Sequence, residues 1–139
     1  MATTPNSIIT PQLPKSLAAV CTTANTTYTD TPTNTQGLAS AGVNGSRVTR
    51  VTAIPRATIT ATQLQLYRSV DAGVTKRFFR SALMPAYTMA QTTEAPIVDF
   101  GYTEENPLIL IAGEIIYCAI GVTPASSGTI GFCAEWADY

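Results

Sequence analysis

Pro107-Leu108-Ile109-Leu110-Ile111-Ala112-Gly113-Glu114-Ile115-Ile116-Tyr117-Cys118-Ala119-Ile120-Gly121-Val122 is the longest apolar run in the chain, and its reading decides the fold. A helix that crosses a bilayer needs ~20 apolar residues with few charges. This run is shorter, and Gly113-Glu114 breaks it. Its β-branched residues and the small break predict two buried strands joined by a tight turn or bulge. Periodicity alone does not separate these from a buried helix segment. Read as strands, they form the central pair of the fold, with Glu114 exposed at the corner and Cys118 packed in the core.

Outward from this run, strand signals recur at short intervals. Arg47–Ile54 and Ala57–Val70 alternate apolar and polar residues with period two, the pattern of half-buried antiparallel strands. Pro55 separates them and is expected at a corner or edge. Asp71-Ala72-Gly73 lies between two strand-like runs and is the best hairpin signal, because Gly supplies the positive φ of a tight reversal. Pro85–Met89 and Ile97–Phe100 are further short strands, 101–107 is a loop, and Pro124–Gly128 is a turn. In the last strand, Thr129–Trp136, Ile130, Phe132 and Ala134 share one face, with Gly131 and Cys133 on the other. The fold class is therefore all-β, a single antiparallel β-sandwich or jelly roll.

Residues 1–46 differ from this body at 47–139. They are rich in Thr, Pro, Asn and Ser, carry only Lys15 and Asp30 as charges, and are interrupted by Pro5, Pro11, Pro14 and Pro32. One short strand at Leu17–Thr22 is expected, the remainder being an extended N-terminal arm or long loops, which either lie on their own domain or on a neighbouring subunit or form a flexible terminus. No basic-then-apolar leader pattern opens the sequence, so the sequons at Asn25 and Asn44 are expected to carry no sugar.

Composition narrows the chemistry. The chain has 139 residues, enough for one domain with a core of its own. Apolar residues make up 45%, while charged residues make up 12%, about half the usual share. There is no histidine, which removes Ser-His and Cys-His nucleophiles and the commonest metal ligand. Glu104-Glu105, the one adjacent acidic pair, falls in a loop, where neighbours need not face one another. No phosphate-binding loop occurs, and Asp71 with Gly73 offers too few oxygens for calcium. Cys21, Cys118 and Cys133 have no metal-ligand spacing; Cys118 and Cys133 read as small core hydrophobes. No catalysis, metal or cofactor is expected.

Surface contact is the remaining theme. The net charge is −1, so no overall field draws the chain to nucleic acid or membrane. Within that sum Arg47, Arg50, Arg56, Arg68, Lys76, Arg77 and Arg80 crowd the middle. From Glu94 onward every charge is acidic. These halves pair either within one molecule or between neighbours. Phe78-Phe79 beside Lys76, Arg77 and Arg80 fits stacking on single-stranded nucleic acid, but alternation places one Phe in the core and the basic side chains in solvent. The tail brings Trp136 and Tyr139, aromatics that either meet a partner or cap the core. The seven basic residues with Trp136 and Tyr139 are the candidate interface.

The body from Gly45 to Tyr139 resembles the small decoration, or cement, proteins of tailed-phage heads. Gly45-Ser46-Arg47-Val48 leading into a long strand carries the resemblance, with the hairpin around Asp71-Ala72-Gly73. So does Leu110-Ile111-Ala112-Gly113-Glu114-Ile115-Ile116, followed by a last strand ending in Ala137-Asp138-Tyr139. The cast is similar to jelly-roll cement proteins of Bordetella-type short-tailed phages. The resemblance implies a homodimer or homotrimer on the outside of the head, bridging joints between major capsid protein subunits, without catalysis or cofactor. It leaves residues 1–46 unmatched. On this reading Ile116→Asp abolishes folding, and Glu114→Gln leaves fold and capsid binding nearly unchanged. The alternative is a receptor- or glycan-binding sandwich of a head fibre or tail.

Overall fold

A computed structural model describes residues 10–125 and 127–139. Its strands are β1 (Leu13–Cys21), β2 (Gln36–Ser40), β3 (Ser46–Pro55), β4 (Thr62–Ser69), β5 (Arg77–Met84), β6 (Val98–Asp99), β7 (Leu108–Leu110), β8 (Ile115–Ile120) and β9 (Ile130–Asp138). Sheet I runs β1-β9-β3-β6, with β7 also paired to β3. Sheet II runs β2-β8-β4-β5. Every pairing is antiparallel. Counting β6 and β7 as one interrupted strand beside β3, eight strands wind between two four-stranded sheets in the manner of a jelly roll. Among the described residues no helix is long and apolar enough to cross a membrane.

The core follows from strand parity. In β9, Ile130, Phe132, Ala134 and Trp136 are buried, and β3 sets Ala53, Val51 and Val48 beside the last three on the same face. Sheet II answers with Leu64 and Leu66 of β4, Ile116, Cys118 and Ile120 of β8, and Leu38 of β2. Large apolar groups thus meet between two twisted sheets, and removing them from water is the main force that holds the sheets together.

The expected hairpin is present. β4 and β5 pair in antiparallel register, and Ala72 and Gly73 of the connection have φ of 60° and 88°. Asp71 Oδ1 accepts from Ser69 Oγ at 2.9 Å and from the Thr75 N–H at 2.8 Å, so the loop carries its own hydrogen bonds.

Three expectations about the apolar run and the last strand are corrected. β7 and β8 do form two strands, but they do not pair with each other and are not a central pair: β7 joins sheet I and β8 sheet II. The Gly113-Glu114 corner carries the chain from one sheet to the other, with Gly113 at φ 73°. Glu114 is not exposed; it is 2% exposed and ion-paired to Arg68. Cys133 is exposed, on the outer face of sheet I, because its parity opposes that of Phe132.

Residues 10–46 supply two strands, not one. β1 pairs along its length with β9, and β2 pairs with β8. The segment between them folds over the outside of sheet II. Asn25, fully buried, sets its Nδ2 2.9 Å from Gln65 Oε1 and 2.7 Å from Tyr67 Oη. Gln65 and Tyr67 belong to the β4 face that alternation alone would give to solvent, yet they are 1% and 0% exposed. Burial pushes the Tyr67 phenol above its ordinary pKa, so it stays neutral and can accept from Asn25 while donating onward. Residues 1–9, including Pro5, lie outside the described residues.

Candidate interaction surface

The two outer faces of the sandwich are unlike. That of sheet II is roofed by the 22–35 segment: Tyr28 Oη donates to Gln63 Oε1 at 2.6 Å, and the Tyr28 ring packs on Phe78 with centroids 5.0 Å apart. The outer face of sheet I carries no such cover in the described residues. Its central strand, β9, presents Gly131, Cys133, Glu135 and Ala137, mostly small groups. Beside it run Val20, Ala18, Ser16 and Pro14 of β1, and Ile54, Thr52, Arg50 and Arg47 of β3. Gly131 lies between Val20 and Ile54, and Ala137 between Pro14 and Arg47, so the face is hollowed at the two ends of a furrow along β9. At one end an open hollow of about 530 Å³ is lined by Pro14, Ser16, Arg47, Thr49, Glu104 and Glu135. At the other a hollow of about 250 Å³ is lined largely by Ala18, Val20, Ile54, Gly131 and Cys133, with Arg56 at its rim.

The structure separates the basic residues that the sequence groups together. Arg47, Arg50 and Arg56 follow β3 onto the furrowed side. Arg47 Nη2 donates to the Glu104 carbonyl and lies 3.5 Å from Glu104 Oε2. Its Nε, although buried, has no hydrogen-bond partner among the described residues. Arg50 sits opposite Glu135 in the β3–β9 register, and neither Arg50 nor Arg56 has an ion pair among the described residues.

The other four serve the sandwich itself. Arg68 reaches Glu114 at 2.5 Å and the Ile109 carbonyl at 3.2 Å, and the Glu114 hydrogen bond raises its pKa further. Arg80 donates to the Phe100 carbonyl at 2.6 Å and lies over the Tyr102 ring, 5.2 Å from its centroid. Lys76 donates to Thr35 Oγ1 at 2.9 Å and lies 4.4 Å above the Tyr117 ring. Arg77 makes an exposed pair with Asp30 at 3.5 Å. The charge asymmetry along the sequence is therefore spent in good part within the molecule: Arg47 with Glu104 and Arg68 with Glu114 each join the basic middle to the acidic last third.

Of the two aromatics, Trp136 is 7% exposed and belongs to the core. Tyr139 is half-buried, its N–H donating to the Gly45 carbonyl at 3.2 Å. Sequence reading set Gly131 and Cys133 opposite Phe132 and Ala134 but took Cys133 for core; the same alternation, continued through Glu135 and Ala137, is the signal for an outer face.

One acidic side chain fastens this face to the fold. Asp138, 6% exposed, accepts from Lys15 Nζ at 2.6 Å, from Ser46 Oγ, and from the Gly42 N–H at 3.3 Å. A β-carbon on residue 42 would come within 2.8 Å of Asp138 Oδ2, so glycine is what lets the backbone approach. Burial pushes the Asp138 carboxyl up, and these three donors outweigh it and hold the pKa below the ordinary range. Among the described residues no group of three or more His, Cys, Asp or Glu is placed to hold a metal ion.

No protein-family model matches the chain, and no curated protein matches it. Two solved structures of infectious bursal disease virus align with it. One is a chain of the T13 viral particle, at 8% identity and a TM-score of 0.33, covering 99% of this chain and 39% of that one. The other is a chain of the Gx strain, at 9% identity and a TM-score of 0.33, covering 99% and 37%. The chain spans less than two fifths of either length. Likeness at this level says nothing about the role of this chain.

Proposed function

We propose that this chain is a structural virion protein: a cement or decoration protein that binds the outside of a phage head as a homodimer or homotrimer. It clamps joints between major capsid protein subunits, without catalysis. The observation that carries the reading is the furrowed outer face of sheet I, bare among the described residues, set against a sheet II face closed by its own chain. The sequence resemblance to head cement proteins supports it.

The chemistry of the face suits a protein partner. It offers small side chains for close approach, apolar flanks at Val20 and Ile54, and mixed charge at Arg47, Arg50, Glu104 and Glu135. Such a surface gives register and specificity through complementary polar groups around an apolar strip. A clamp that binds only the assembled lattice stabilises it by mass action, and many copies at modest affinity suffice when each bridges attached partners.

The glycan-binding alternative depends on exposed aromatics, and Trp136, its first candidate, is turned into the core. The deciding experiment mixes purified protein with matured heads that lack it. Co-sedimentation with a gain in resistance to heat or chelator is expected; absence of both would overturn the proposal.

A further inference from the structure

Two buried thiols face one another across the sandwich. Cys21 ends β1 in sheet I, and Cys118 lies within β8 in sheet II; both are fully buried. Their Sγ atoms are 3.7 Å apart, although 97 positions separate them in sequence. The third thiol, Cys133, is exposed on the far side of sheet I. A buried cysteine is ordinarily a small hydrophobe, and each of these packs as one. Their mutual contact adds something that packing alone does not require. A disulfide has an S–S bond of ~2.05 Å, so the sulfurs need to close by about 1.7 Å. β1 is the element that can yield this movement. Among the described residues it is an edge strand paired only to β9, and of its nine residues only Cys21 is buried.

We propose that Cys21 and Cys118 form a latent disulfide site, a covalent staple between the two sheets that closes by exchange with a small-molecule disulfide. The Cys21 thiolate attacks the small disulfide, forming a mixed disulfide and releasing one small thiolate. Cys118 gives up its proton, attacks the Cys21 sulfur and releases the second. Two protein S–H bonds and the oxidant's S–S bond are broken; one protein S–S bond and two small thiols are formed. Two electrons pass to the oxidant, and the two protons end on the released thiolates. The contact with Cys21, and then burial, push the Cys118 thiol well above its ordinary range. Exchange therefore waits on displacement of the β1 end, and the compact protein keeps both thiols until an oxidant is present. Once closed, the bond fixes the exposed edge strand to the middle of the opposite sheet. It also closes a long loop, which constrains the unfolded chain and favours the folded one.

The test uses the full chain carrying Cys133→Ser, incubated folded with oxidised glutathione and analysed by intact mass, peptide mapping without reductant, and thermal melting. The expected product is lighter by two hydrogens, carries no glutathione, and yields a peptide linking Cys21 to Cys118. Its melting temperature is higher than that of the reduced protein and returns on adding dithiothreitol. The Cys21→Ser, Cys133→Ser double variant gives no linked product. If that variant does not fold, the linked peptide in the Cys133→Ser protein decides alone. Recovery of both thiols free, a stable glutathione adduct at either, or a linked product that melts no higher would each overturn the proposal.

Discussion

Arg68 of β4 and Glu114 at the β7–β8 corner form an ion pair that ties sheet II to the crossing between the sheets. The carboxylate does two jobs. Its Oε1 takes Arg68 Nε at 2.5 Å, and its Oε2 accepts from the Ile111 N–H at 3.0 Å, closing the turn on itself. Glu114 is 2% exposed, whereas the Arg68 side chain keeps 35% exposure and so retains part of its hydration. Removing the acid strands a backbone donor as well as a half-buried cation. Glu114→Gln is therefore expected to destabilise by about 1–3 kcal/mol, and Glu114→Ala by more. Urea unfolding measures this; a variant within a few tenths of wild type would sink the argument.

Ile116, next but one along the chain, tests the core directly. It is 1% exposed, and an aspartate there must be buried uncompensated or protonated. Ile116→Asp is expected to yield no cooperatively folded protein, read as loss of a thermal transition and of dispersed amide resonances.

Asn25 holds the cover on sheet II. Besides Gln65 and Tyr67, its Oδ1 accepts from the Thr33 N–H at 3.2 Å, so one side chain joins both ends of the segment to β4. Asn25→Ala leaves Gln65 and Tyr67 buried with fewer partners and is expected to cost about 2–3 kcal/mol. Hydrogen exchange should show 22–35 losing protection before the strands do; uniform loss over the whole chain would contradict a local role.

These sites mark how far the sequence could be read. Period-two alternation in β3, β4 and β9 and the Asp71-Ala72-Gly73 turn were legible because each is a local pattern tied to one face or one backbone angle. The burial of Glu114 was not, since its partner is 46 residues away and nothing nearby announces it. β2 and the first half of β1 were hidden, the latter for a different reason. An edge strand that contributes little beyond Ala19 and Cys21 to the core has no need of apolar alternation, and Pro-, Thr-rich sequence can serve. Gln65 looked solvent-facing because alternation describes one sheet and not what folds over it.

Asp138 makes stability depend on pH with a definite sign. Its folded pKa lies below the unfolded value of about 3.9. The stabilisation from Lys15, Ser46 and the Gly42 N–H is thus complete above that value and is lost as pH falls through the folded one. Asp138→Asn is expected to be less stable than wild type at neutral pH, with the gap closing below about pH 4. Urea midpoints for both proteins across this range decide it. A gap that stays constant or widens on acidification would show that the carboxylate charge is not what matters.

The last prediction separates the two faces of the sandwich. Cys133 is exposed in the furrow of sheet I, and Leu83, 67% exposed, lies on the outer side of sheet II. An arginine at either place projects into solvent and is expected to change stability by no more than about 0.5 kcal/mol. The consequences for binding differ. Cys133→Arg fills the furrow between Ala18 and Thr52 with a long charged chain, which a partner seated there would have to expel or leave unpaired. Co-sedimentation with cement-free heads is expected to fall at least tenfold for Cys133→Arg and to stay at the wild-type level for Leu83→Arg. The reverse ranking, with both variants folded, would move the contact surface to sheet II; equal retention by both would remove it from either face.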